Sequence, residues 1–524
     1  MVYFVTTQNK PKENTMNKFI EVNGNNIYGE ISCVDRIIFK GYSFLSWTDS
    51  MTNYLSHRNI LLKDFKKYTQ QLSHRLRDYG LQLAQASGRP YFVPSGKYNK
   101  EERAREIAEK DNITTGLVAV MSALEASPTF KMIPGEGRPR LIPASIPQLC
   151  LYYYLMLPEF GLVHIRIQTW LPFTVQIYLN GHDWLARKMD EQGIKYQQMD
   201  NCFTGIEDPE KAQTLADQFN RIKWETILPE FAKYVNPLTE EEFPQSYYWV
   251  LDQVEYATDT MFKDSAALDA LYEKLLEHSI RCFSAKDVLT FLGKKFDGRF
   301  AGDQINSMKK RYPGARVKHW IKRNWMKMYN KFGSVLRVET VINNPYDFKI
   351  LRHGKRKGEQ VYGWFPMGKG VANLYRYGEI GFAANHAYLN ALAVERDDRP
   401  AKESLRQLTE PVKRNGKSYG AFNPAKAEDM RLFKAVMDGA FIAFGFQNRD
   451  IRTRLLKEPK SERKTTRLTA RIGRWLKKLQ MHGLIAKVPR SRRWKVTPDG
   501  RRIMQTALDF YDRGWTQLIE KQAA

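Results

Sequence analysis

The sequence predicts an α/β (α+β) protein with a central, antiparallel-rich sheet domain and flanking helices, followed by a helical module ending in a basic hairpin. Three observations predict it. Short stretches of the middle alternate polar and apolar residues at period two between Gly, Asn and Pro breaks. Helical spacing recurs between those stretches. The last hundred residues set basic side chains at helical spacing just before a short strand. With 524 residues, 43% of them hydrophobic, two to four domains with substantial cores are expected.

Residues 18–45 alternate apolar strands with turns such as Asn23-Gly24-Asn25, and 56–85 and 100–111 are helical and charged. A Gly- and Pro-rich loop from Pro134 to Arg140 closes a first region, 1–140. Leu162–Trp170 and Phe173–Asn180 form a hairpin around Leu171-Pro172. A helix over Asp183–Gln192 ends at Gly193, and a longer one covers 209–234. A strand spans Gln253–Phe262, helices cover 265–281 and 285–292, and 325–331 pairs with 335–342 over Phe332-Gly333-Ser334. These make a central domain, 141–360. A helix over 371–395 and a polar linker, Asp397 to Asn423, form a connector, 361–425, before a last domain, 426–524.

In that last domain, Glu428–Asp438 and Asn448–Leu456 are helical. Arg463, Arg467, Arg471, Arg474 and Lys478 then recur every three or four residues, which puts them on one helical face. Leu468, Ile472, Trp475 and Leu479 keep the same rhythm on the opposite face. His482-Gly483 stops this helix, and Pro489-Arg490-Ser491-Arg492-Arg493 forms a tight basic turn before a strand from Trp494 to Thr497. Thr497-Pro498 suits a helix N-cap. Helix, helix, basic helix, basic hairpin, helix is the order of a winged helix-turn-helix. The segment resembles the MarR-like winged-helix family over 427–515. From Lys426 onward, 24 Lys/Arg face 10 Asp/Glu, so +14 of the chain's +26 sits here. Arg463, Arg467, Arg471, Arg474, Lys478, Arg490, Arg492 and Arg493 are therefore candidate contacts to duplex DNA.

A net charge of +26 favours a polyanionic partner. No apolar run approaches the ~18 residues that span a bilayer, so no membrane partner is expected. Cys33, Cys150, Cys202 and Cys282 lie far apart without CxxC spacing, which argues against a disulfide scaffold and against zinc and predicts a reducing cytosol. The first sixteen residues turn polar after the fifth, unlike a signal peptide. The oligomeric state is open, a homodimer included.

Side chains alternate along strands, so faces can be assigned. Lys327, Tyr329 and Lys331 share one face of the first hairpin strand, Arg337 and Glu339 one face of the second, and Glu255, Ala257 and Asp259 one face of the earlier strand. Carboxylates suit a divalent cation, Mg or Mn, while Lys327 and Arg337 suit the charge of a phosphoryl transition state. A half-exposed sheet with ordinary Lys–Glu pairs has the same pattern. Arg316, Lys318, His319, Lys322 and Arg323, interleaved with Trp320 and Trp325, suit a single strand of DNA or RNA. A solvated basic loop is the plainer reading. His164-Ile165-Arg166 reads as a polar sheet surface, and Asp183 as first-turn helix charge.

Four segments, taken in order, are similar to the replication-initiation-factor group of rolling-circle initiators. They are Gln253-Val254-Glu255-Tyr256-Ala257-Thr258-Asp259, Tyr312-Pro313-Gly314-Ala315-Arg316, Lys327-Met328-Tyr329-Asn330-Lys331 and Leu336-Arg337-Val338-Glu339. The resemblance covers about 90 residues. It departs where Gln253 and Glu255 replace an arginine and an aspartate and Ala315 replaces a serine. It implies metal-assisted nicking of one DNA strand by a tyrosine that stays on the 5′ phosphate. Tyr312 would be the nucleophile, with Tyr329 the alternative, Arg316 a phosphate ligand, and Glu255, Asp259 and Glu339 metal or general-base carboxylates. The rival expectation is a non-enzymatic winged-helix DNA-binding regulator or an RNA-binding accessory factor.

Overall fold

The computed structural model describes residues 18–511, apart from 95–98, 137–138, 243–245, 282, 284, 294–303, 311–313, 357, 394–400, 415, 439–440, 442–444, 456–461, 489–490, 498, 505 and 509. The chain divides into two compact units. The first is Met1–Ile280, Phe291–Lys294 and Ala301–Ala393; the second is Arg281–Thr290, Lys295–Phe300 and Val394–Ala524.

In the first unit a short helix, α1 (Lys18–Asn23), precedes β1 (Ile27–Tyr42), α2 (Thr48–His57), α3 (Phe65–Ala86), β2 (Tyr91–Phe92) and α4 (Lys100–Lys110). Next come β3 (Gly116–Ile133), β4 (Arg140–Leu157), β5 (Gly161–Gln168), β6 (Val175–Asn180) and α5 (Gly181–Glu191). A small ribbon, β7 (Tyr196–Gln198) and β8 (Phe203–Ile206), leads to α6 (Pro209–Phe219), α7 (Trp224–Val235), α8 (Leu238–Glu241) and β9 (Tyr248–Phe262). The remainder is α9 (Ser265–Arg281), β10 (Gln304–Lys310), β11 (Ala315–Ile321), β12 (Asn324–Lys331) and β13 (Val335–Ile342), while α10 (Ala285–Phe291), between α9 and β10 in the chain, falls in the second unit but for its last residue. A separate hairpin, β14 (Lys349–Arg356) and β15 (Glu359–Pro366), precedes α11 (Leu374–Leu392).

Eleven strands form one mixed sheet in the order β10-β11-β12-β13-β9-β1-β6-β5-β4-β3-β2, antiparallel except for β2 beside β3. Mixed α/β architecture is therefore observed, as expected. The division expected at residue 140 falls inside this sheet. The Pro134–Arg140 loop only joins β3 to β4, with Ile133 opposite Arg140. The expected helix over 209–234 is two helices, and the break at 220–223 lets Trp224 turn into a core against Phe39, Phe160 and Phe219.

One sheet face is apolar because β-branched and aromatic residues alternate onto it. On it Tyr256 packs against Gly381 of α11, and Asn385 of α11 bonds Thr340, Thr258 and the Tyr256 carbonyl. The other face carries the charged residues. β1 has a bulge between Val34 and Arg36 that leaves Asp35 out of register. Beside it, Asn180 caps α5 by accepting from the His182 amide at 2.9 Å. Gly181 fits there only without a side chain, since a Cβ would lie 1.9 Å from the Val34 carbonyl oxygen.

The second unit contains α12 (Ala401–Thr409), β16 (Val412–Arg414), β17 (Lys417–Tyr419), α13 (Ala427–Val436), α14 (Asn448–Leu455), α15 (Glu462–Met481), β18 (Ile485–Lys487) and β19 (Trp494–Val496). Phe446 bridges to Trp494 beside the β18–β19 hairpin. Leu408 and Phe422 are buried with Phe433, Ile451, Ile472, Leu476 and Leu479. The segment expected to be a linker is thus part of this unit's core. The apolar row on α15 does not oppose the basic row. The rows differ by one residue, about 100° of helix, so the cations border the core.

Gly181→Ala is expected to destabilise the first unit by about 1–3 kcal/mol or more, because the clash is with backbone. Urea unfolding measures it, and an unchanged midpoint would contradict the close approach.

Candidate metal and nucleic-acid site

The cross-strand register brings the sequence-assigned residues together. Lys327 lies opposite Glu339, Tyr329 opposite Arg337, Arg337 opposite Asp259, and Glu339 opposite Ala257. They share one face, but much of it is buried. Arg337, Asp259, Glu339, Glu255 and Tyr329 are all buried, beneath α5 and the β7–β8 turn.

Arg337 is the centre of this buried network. Its Nε donates to Asp259 Oδ1 at 2.5 Å, and one terminal nitrogen donates to Asp259 Oδ2 and to the Asn201 carbonyl, each at 2.6 Å. The other terminal nitrogen reaches Asp35 Oδ1 at 3.2 Å. Asp35 also accepts from Asn201 at 2.8 Å and lies 3.1 Å from His182 Nδ1. His182 Nε2 is 3.3 Å from Asp259 and 3.5 Å from the Cys33 sulfur. Burial opposes ionisation of Asp259, yet Arg337 and His182 lower its pKa to about 2. Burial also opposes a proton on His182, as Arg337 does, but Cys33, Asp259 and Asp35 hold its pKa well above the ordinary value.

This geometry corrects two sequence assignments. Arg337 is fully buried and committed to Asp259, Asp35 and the Asn201 carbonyl, so it is not placed to meet a phosphate. Asp259, expected as a metal ligand, has both oxygens on Arg337. Asp35 takes its place, because the β1 bulge turns it toward Glu255 and Glu339. Carboxylate oxygens of Asp35, Glu255 and Glu339 lie within 4.8 Å of one another, close enough to share one cation. Lys327 Nζ is 2.7 Å from Glu339 and 3.7 Å from Glu255. The Tyr329 hydroxyl donates to Glu339 at 3.0 Å, and burial followed by that carboxylate raises its pKa far above normal. Burial and the Glu339 charge push the Glu255 pKa up to about 8. Two buried carboxylates resisting joint ionisation form a donor set that a divalent cation fits.

Beyond the Arg337 network the same face carries a half-buried basic-aromatic strip. Lys318 lies opposite Lys327, and Trp320 opposite Trp325, with the indoles 4.7 Å apart. Lys318 Nζ sits over both rings, at 3.2 and 3.6 Å. Burial, Lys327 and Arg316 lower its pKa to about 8. Arg316 Nε and Arg36 Nε are buried without a hydrogen-bond partner among the described residues, and Arg36 is the cross-strand neighbour of Glu255. His319 does not belong to this surface. It alternates to the apolar face and meets the Tyr388 hydroxyl at 2.9 Å. Lys322 pairs with Asp347 at 3.2 Å in the turn, next to the exposed Arg323. Tyr312 lies outside the described residues.

On α15, Arg467 and Arg474 are exposed, and so is Arg492 near the hairpin tip. Arg471 is exposed but ion-paired with Glu428 and lies over Trp475. Lys478 folds back to the Ala421 carbonyl at 2.9 Å, and Arg493 donates to the Gly445 carbonyl at 3.1 Å. Those two serve the unit's own structure, Lys478 from its place beside the apolar row of α15 and Arg493 from the hairpin. The side chain of Arg463, and all of Arg490, lie outside the described residues.

Sequence reasoning missed Asp35, His182, Asn201 and Arg36. Only Asp35-Arg36 left a signal, two charges inside the apolar run Cys33–Phe39. Cys33, Cys150 and Cys202 are buried and free. No helix among the described residues is long and apolar enough to cross a membrane. No family model, curated protein or solved structure matches the chain.

Replacing Arg337 by Met strands Asp259 and Asp35 without their cation and is expected to cost about 3–5 kcal/mol in denaturant unfolding. A loss under 1 kcal/mol would contradict the closed network. An acid whose pKa rises on folding lowers stability once the pH exceeds its unfolded value. For Glu255 the decline starts near 4.5 and ends near 8, where both states are ionised. Metal-free protein should therefore weaken across that window, and Glu255→Gln should flatten the profile. An equal decline in the variant would contradict the assignment.

Proposed function

We propose that this chain is a DNA-binding protein that cuts and rejoins one strand by metal-assisted phosphoryl transfer, as rolling-circle initiators of mobile elements do. The observation carrying this reading is the convergence of Asp35, Glu255 and Glu339 next to a tyrosine hydroxyl and a half-buried Lys/Trp strip. The three carboxylates would hold one Mg or Mn ion. Such an ion, when bound, polarises the scissile phosphate. Arg36 and Arg316, with unpartnered Nε atoms, would take phosphate oxygens, and Trp320 and Trp325 would stack bases. Lys327 supplies positive charge to the carboxylates and to the transition state.

A tyrosine oxygen attacks phosphorus, a bond to that oxygen forms, and the bond to the 3′ oxygen breaks. The 3′ oxygen leaves with a proton, and the same 3′ hydroxyl later reverses the step. Were Tyr329 the nucleophile, its proton would pass to Glu339, the acceptor 3.0 Å away, and from there to the departing 3′ oxygen. Tyr312 is the nucleophile that the family resemblance implies. The second unit has the element order of a winged helix-turn-helix, and its exposed Arg467, Arg474 and Arg492 would grip duplex phosphates.

One observation favours a non-catalytic regulator instead: Lys327, 2.7 Å from Glu339, already neutralises part of the acidic set.

Supercoiled DNA carrying the cognate site separates the two readings. Mg²⁺ or Mn²⁺ should give open circles covalently linked to protein, and Glu339→Gln should reduce their yield about 100-fold or more. Tyr329→Phe and Tyr312→Phe should identify the nucleophile. No cleavage with either metal would leave the regulator.

A further inference from the structure

Most of the basic run, residues 353–356, lies on β14 of the β14–β15 hairpin, which is a sheet separate from the main one. Ile350 and Phe365 are buried at its base, and Arg376 of α11 donates to the Lys349 carbonyl at 3.2 Å. Toward the tip nearly every side chain is exposed. The turn closes at Gly358, whose φ of 90° favours glycine.

Cross-strand register divides the exposed side chains between two faces. Leu351 opposite Trp364, His353 opposite Tyr362, and Lys355 opposite Gln360 share one face. Arg352 and Arg356 share the other, both over the Phe365 ring at 5.1 and 5.2 Å. Tyr362 is 60% exposed and Trp364 46% exposed, unusual for rings that a folded chain could bury. Among the described residues, Lys349, Arg352, Lys355 and Arg356 make no ion pair, although Glu359 stands opposite Arg356. Lys349 and Lys355 share the face of the two exposed rings, and Arg376 of α11 lies over Trp364 at 5.3 Å, so this face combines phosphate attraction with stacking platforms. A protein interface core, by contrast, is depleted in lysine. The two rings, two residues apart on one strand, sit about 6.8 Å from each other along it. That spacing suits bases separated from a stack, which a closed duplex does not offer.

We infer that the β14–β15 hairpin is a second nucleic-acid contact, a ribbon that holds an unpaired strand by stacking on Tyr362 and Trp364 while Lys349 and Lys355, on the same face, follow its phosphates. The inference rests on the nucleic-acid part of the proposed function and is independent of the metal chemistry.

Fluorescence anisotropy on the full chain tests it, with labelled oligothymidylate, oligouridylate and a random-sequence duplex in chelator. Without metal no strand is cut, so loss of binding and loss of nicking are separate results. Tyr362→Ala with Trp364→Ala should weaken single-strand binding about 10-fold or more and leave the duplex nearly unchanged. Lys349→Ala with Lys355→Ala should reduce the slope of log affinity against log salt by roughly 1.4. The oligothymidylate and oligouridylate arms then tell DNA from RNA. Single-strand affinity within about two-fold of wild type in both variants would overturn the inference, as would equal losses on duplex and single strand. A ribbon serving a protein partner gives the first of those results. If the aromatic variant fails to fold, the Lys349/Lys355 variant decides alone.

Discussion

The arrangement depends on one buried guanidinium. Arg337 lies in the middle of an eleven-stranded sheet with no solvent exposure, and it is tolerated only because Asp259, Asp35 and the Asn201 carbonyl surround it. An unpaired charge at that depth would be prohibitively costly. Its partners come from three distant segments: the β1 bulge, β9 and the β7–β8 turn. Satisfying Arg337 therefore fixes where those segments sit. The bulge that delivers Asp35 to Arg337 also delivers it to Glu255 and Glu339. The metal-ready carboxylates are a by-product of the ion network beside them.

The two sheet faces divide the work. The apolar face is packed by α11 through Gly381 and Asn385 and carries stability. The charged face is covered over the Arg337 network and half-buried at β11 and β12, where Lys318 lies between Trp320 and Trp325. On the proposed reading, the buried acidic set would hold a cation and the bordering basic-aromatic strip would hold the strand. The bulk of the chain's positive excess lies elsewhere, in the carboxy-terminal module, where Arg467 and Arg474 stay exposed because they point away from the core stripe.

Much of this was legible from strand alternation alone. Lys327, Tyr329, Arg337, Glu339, Glu255 and Asp259 do share a face, because the period of two survives wherever register is regular. What alternation could not convey was depth and pairing. Arg337 looked like a phosphate ligand and is a structural cation; Asp259 looked like a metal ligand and is that cation's partner. His182 and Asn201 are placed by a helix cap and a turn, which carry no face information. His319 sits on β11 among exposed cations, yet one residue's shift sends it to the opposite, buried face. In the second unit the helix positions followed from periodicity. The relation of the two rows on α15 did not, since a single-residue offset makes neighbours rather than opposites. The break at 220–223 reflects the tertiary demand of burying Trp224, which local propensity does not encode.

On the proposed reading, the sheet's charged face would hold one divalent cation between Asp35, Glu255 and Glu339. Electron paramagnetic resonance of Mn²⁺ titrated into the intact protein tests it most directly. The account predicts one protein-bound ion whose signal is lost when Asp35 is changed to Asn. A titration identical to free Mn²⁺, or binding that survives that change, would contradict it.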